Sequence, residues 1–125
     1  IQGSVVFVAP PPTLQAVRAA LPDGASPADV ALAMDARRDI HRGSVDLARR
    51  VGARLLDNAG RSSVEVRQQR LQVLLEATMP AVLVELDYLS SGSQAAWLAG
   101  ADGQNTLAAA IASAVIDYAR HAELL

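Results

Sequence analysis

A chain of 125 residues is one domain or part of one, and at that size it can bury roughly two-thirds of its unfolded surface. Apolar residues at 51% against charged residues at 19% exclude a disordered chain. A net charge of -2, with 11 Arg against 13 acidic residues, leaves no electrostatic footprint for nucleic acid or an anionic membrane.

Ser4-Val5-Val6-Phe7-Val8-Ala9 is β-branched and apolar, and reads as a strand buried on both faces. Pro10-Pro11-Pro12 ends it, because proline cannot donate to a ladder. Thr13 is placed to cap a short helix over Leu14–Leu21, stopped by Pro22-Asp23-Gly24. Ser26-Pro27-Ala28-Asp29 starts a second helix, with Ser26 as cap, Pro27 in the first turn and Asp29 closing a capping box. Gly43 is expected to end or kink that helix, and Ser44 to cap a further one over Val45–Asn58. Val45, Leu47, Ala48, Val51, Leu55 and Leu56 form its apolar stripe, with Arg49, Arg50 and Arg54 on a solvated side. Asn58-Ala59-Gly60 is a helix stop.

Ser62–Arg70 is polar and reads as a loop or short helix. Leu71–Leu75 reads as a strand, and Ala81–Leu86 as the strongest strand, apolar until Glu85. Ser90–Ser93 is a loop, with Ser93 capping a short helix through Trp97. Gly100–Gly103 breaks that helix, and Asn105 or Thr106 caps the last one. Leu107, Ile111, Ala114, Val115 and Tyr118 form its buried face. Strands alternating with amphipathic helices predict an α/β class, with a mostly parallel or mixed sheet flanked by helices. Three strands make a small sheet with open edges, so the layer reads as incomplete without an N-terminal segment. The start at Ile1, not Met, fits a mature or internal fragment.

Chemistry concentrates on Glu85. It leaves the best strand at its C-terminal end, where ligands gather in open α/β sheets. A carboxylate in an apolar layer is expected to need a cationic partner, a raised pKa or a nearby metal-bound water. Cys is absent, which excludes disulfides, thiolate metal sites and Cys nucleophiles. The two histidines, His41 and His121, match no ligand spacing and read as surface residues near helix ends. No P-loop, G-x-G-x-x-G or G-x-S-x-G occurs, and no apolar run approaches the roughly 20 residues of a membrane span. Tyr88 and Trp97 suit either sugar stacking or packing.

Thr78-Met79-Pro80-Ala81-Val82-Leu83-Val84-Glu85-Leu86-Asp87-Tyr88-Leu89-Ser90 resembles a signature of the zinc-dependent N-acetylmuramoyl-L-alanine amidases, whose usual wording is M-P-A-V-L-V-E-L-G-F-L-S-N. Ser44–Leu56, Leu71–Leu74, Ala96-Trp97-Leu98 and Gln104–Tyr118 resemble its flanking elements, so the likeness covers about residues 44–120, with a weaker match over residues 1–9. Asp87, Tyr88 and Ser91 depart from the family's Gly, Phe and Asn. Asp87 reads first as a turn residue at the strand exit, and second as a carboxylate sharing a face with Glu85.

The resemblance implies the C-terminal part of a single amidase-like domain over residues 1–125, with residues 10–43 as a family insertion. It implies a peptidoglycan hydrolase of the bacterial cell envelope, extracellular or periplasmic, cutting the amide between N-acetylmuramic acid and L-alanine. Glu85 is then the catalytic general base and acid. Zinc is the implied cofactor, with its ligands outside this chain. An N-terminal segment or second chain would complete the sheet. The rival reading is a degenerate, non-catalytic domain that binds peptidoglycan or an envelope partner.

Overall fold

A computed structural model describes residues 3–86 and 92–125. It is a mixed α/β fold in which a three-stranded sheet, ordered β2-β1-β3, is packed by helices. Strand β1 (Ser4–Val8) is central and buried along its whole length, as its unbroken apolar run predicts. It pairs in parallel with β2 (Val64–Gln68) and antiparallel with β3 (Leu83–Glu85). The parallel pairing needs a long crossover, and residues 9–63 supply it.

That crossover holds α1 (Leu14–Ala20) and α2 (Pro27–Asp57). Thr13 Oγ1 accepts the Ala16 N–H at 3.2 Å and starts α1. Ser26 and Asp29 form the expected reciprocal capping box at the start of α2. Asp29 is held below the ordinary aspartate range, first by the Ser26 backbone N–H and then by its hydroxyl.

Helix α2 runs unbroken through Gly43 for 31 residues, where two helices were expected. Extending a formed helix costs less than nucleating a new one. Ser44 is therefore not a cap. Its buried hydroxyl donates to the Ile40 carbonyl at 3.0 Å and accepts the Ala81 N–H at 3.0 Å. Gly43 has a packing role, because an added Cβ would lie 2.6 Å from Pro80 Cγ and 2.8 Å from the Tyr118 hydroxyl. The stop at Asn58 stands, with Gly60 at φ +62°.

Two further expectations are corrected. The polar stretch after Gly60 contains β2, and Leu71–Leu75 is not a strand but carries the short helix α3 (Gln72–Leu75). A brief apolar run suits either state, and here only Leu74 of α3 is buried. The alternation Val64-Glu65-Val66-Arg67 was the missed strand signal. Strand β3 is a three-residue edge strand and not the sheet's strongest.

Helix α4 (Gly92–Ala99) takes in Ser93, which does not cap it, and α5 (Ala101–His121) starts at Gly100 instead of Asn105. Gly103 lies inside α5 because any side chain there would overlap the Trp97 carbonyl oxygen. Leu107, Ala110 and Ala114 are buried on α5, with Ile111 and Tyr118 half-buried, whereas Val115 is exposed.

One core lies between α2, α5 and the face of the sheet that carries Val6 and Val8. Val6, Val8, Val51 and Leu55 are fully buried there, each contributing about 1.5–3 kcal/mol of hydrophobic stabilisation. On the opposite face Val5 and Phe7 pack with Leu74 of α3. Arg54 of α2 pairs with Asp117 of α5 and ties the two long helices together.

Candidate active site

Glu85 closes β3 directly opposite Val5, at the start of β1. Opposed residues on paired strands share a face, so Glu85 stands with Val5 and Leu83 stands with Phe7. Val84 faces the other way, into the main core. The register on β2 adds Glu65 beside Val5 and Arg67 beside Phe7. Glu65, Val5 and Glu85 thus form one row across three strands. At about 4.8 Å per strand, the two glutamate backbones stand roughly 10 Å apart.

The expected burial of Glu85 in an apolar layer does not occur. Leu83 and Glu85 are exposed and only Val84 is half-buried, because β3 is an edge strand open on one face. No hydrogen bond or ion pair joins the Glu85 carboxylate to another described residue. The two glutamates of the row differ in this respect. Arg67 grips Glu65 through Nε at 2.7 Å and Nη2 at 2.6 Å. Glu85 faces water without a counter-charge among the described residues.

The backbone around Glu85 is well anchored. Ser4 Oγ donates to the Leu86 carbonyl at 2.7 Å, which ties the exit of β3 to the start of β1. Upstream, the Ala81 N–H is held by Ser44 of α2. Glu65 and Ser4 are members of this region that the sequence reading missed. The period-two alternation of β2 could have found Glu65, whereas only the strand pairing places Ser4 beside Leu86. Asp87, Tyr88, Ser90 and Ser91 lie outside the described residues.

The remaining candidates resolve as packing or as surface residues. Trp97 is half-buried against the core, and the Arg61 guanidinium stacks 5.5 Å from its ring centroid. Arg49 is exposed, while Arg50 pairs with Asp46 at 3.1 Å along α2. His121 is exposed at the end of α5, as expected. His41 is not at a helix end. It sits within α2, half-buried, with Nδ1 buried and unpartnered. No three His, Cys, Asp or Glu residues cluster closely enough to hold a metal ion among the described residues. A catalytic zinc takes three protein ligands, and the described residues bring no such set together. No described helix is long and apolar enough to cross a membrane.

A family model described as N-acetylmuramoyl-L-alanine amidase matches residues 1–117, which include Glu85, β1 and the whole of α2. No curated protein and no solved structure matches the chain.

Proposed function

The chain belongs to the N-acetylmuramoyl-L-alanine amidase family, and from that premise we propose that it is the Glu85-bearing part of a peptidoglycan hydrolase. The bond attacked is the amide between N-acetylmuramic acid and L-alanine. Glu85 acts as general base and then general acid. Its carboxylate takes a proton from the attacking water and returns it to the alanine nitrogen as the C–N bond breaks. The products are a free lactyl carboxylate and the amine of the stem peptide.

The observation that carries this reading is the family match over residues 1–117, which takes in Glu85 at the anchored end of β3. Zinc, which the family's chemistry implies, would have to be gripped by residues beyond those described. Strands β2 and β3 each pair on one side only among the described residues, which supports an additional segment or chain completing the sheet. Residues 10–43, with α1 and the first half of α2, are proposed as the family's insertion. The substrate places the site of action in the extracellular or periplasmic cell envelope.

The test is release of stem peptides from purified cell wall by the intact gene product, with and without Glu85→Gln. The variant is expected to fold normally and to lose about 10²–10⁴ in kcat. Full activity in the variant removes Glu85 from the mechanism. A metal-replete parent protein that binds cell wall but releases nothing establishes the non-catalytic binding reading instead.

A further inference from the structure

At the far end of β1 from Glu85, the chain leaves the sheet through Pro10-Pro11-Pro12 and bounds a cleft of about 230 Å³ between α1, α2 and α3. That volume is below the roughly 300–1,000 Å³ of drug-sized sites, so it suits a small ligand. Helical spacing aims one stripe of α2 into it. Arg37 and His41 are four residues apart, and Ile40 and Ser44 continue the same face.

The cleft is charged in one sense only. Arg37 and exposed Arg70 line it, and no Asp or Glu does. The nearby acids are engaged elsewhere: Glu76 by Gln72 Nε2 and Asp39 by Arg42. Arg37 makes only a long 3.4 Å bond to the Ala77 carbonyl, and Arg70 makes none with a described residue. His41 Nδ1 is buried without a hydrogen-bond partner. That nitrogen is closed to solvent, so the charge in the cleft comes from the two arginines. The remaining walls are apolar, chiefly proline rings with Val17, Ile40 and Leu74.

We propose that this cleft binds a small organic carboxylate with a short apolar body. The carboxylate meets Arg37 and Arg70, and the body lies against the prolines and aliphatic side chains. A planar carboxylate fits guanidinium donors in pairs. Inorganic phosphate offers the anion but nothing for the apolar walls. The acid is either a free metabolite or the C-terminus of a peptide.

The experiment is an amide-shift NMR titration of the intact protein with isovalerate, isovaleramide, inorganic phosphate and an N-acetylated Ala-Val dipeptide acid. Isovalerate is expected to saturate with a Kd on the order of 1 mM, moving residues of the cleft and leaving Val84 and Glu85 unmoved. Isovaleramide should bind at least about tenfold more weakly, and Arg37→Gln combined with Arg70→Gln should cost roughly tenfold for the acid alone. Both arginines are at least partly exposed, so these variants keep the fold. Dipeptide acid binding tighter than isovalerate assigns the cleft to a peptide terminus. Weaker binding assigns it to a free acid. Equal affinity for acid and amide, no saturable shift, tighter binding of phosphate, or indifference to both arginine substitutions overturns the proposal.

Discussion

Gly43→Ala sets two effects of opposite sign against each other. In the interior of a long helix, alanine is favoured over glycine by about 1 kcal/mol. The new methyl, however, would lie 2.6 Å from Pro80 Cγ, 3.2 Å from Pro80 Cβ and 2.8 Å from the Tyr118 hydroxyl. Overpacking of this kind costs about 1–3 kcal/mol. The Pro80 ring cannot rotate away, whereas the Tyr118 oxygen is the far end of a movable side chain. We expect a net loss of about 1 kcal/mol, seen in urea as a lower midpoint with unchanged slope. Adding Tyr118→Phe removes one of the two obstacles, so the double variant should regain part of the loss. Pro80 leads directly into Ala81 and β3, so Gly43→Ala should also move the amide signals of residues 81–85. A variant more stable than the parent would refute the packing role of Gly43 and leave it an ordinary helix glycine.

Ser44→Ala removes a hydroxyl that bonds both Ile40 and Ala81. It leaves the Ala81 N–H without its partner and should cost about 1–3 kcal/mol in urea unfolding. Lowering the pH should weaken the start of α2. Asp29 has a depressed pKa in the folded state, so its contribution is present above the unfolded value and is lost as pH falls through the folded one. Ser26→Ala should therefore flatten the acid limb of the stability curve below about pH 4, and an unchanged limb would refute that coupling. For Arg54 and Asp117, each about one-third exposed, a double-mutant cycle should return a coupling of no more than about 1 kcal/mol. A coupling of several kcal/mol would show that the pair is far drier than its exposure indicates.

Local chemistry made much of this molecule legible in advance. Thr13, Ser26 and Asp29 mark helix starts because their side chains accept from backbone N–H groups three residues away, a relation that needs no tertiary partner. The unbroken run of β1 announced burial on both faces, and the pattern around Glu85 pointed to the amidase family. What the linear order left open depends on distant neighbours. Gly43 and Gly103 read as stops because glycine ends helices on its own. Pro80, Tyr118 and the Trp97 carbonyl press on them across the fold and give glycine a second use. Strand β2 hid in a polar stretch because its outward residues face water, and only pairing with β1 fixes its register. Glu85 appeared buried because its neighbours are apolar, yet an edge strand exposes alternate residues whatever their company. Burial belongs to the packed sheet, since one side of a strand is covered only when another element arrives to cover it.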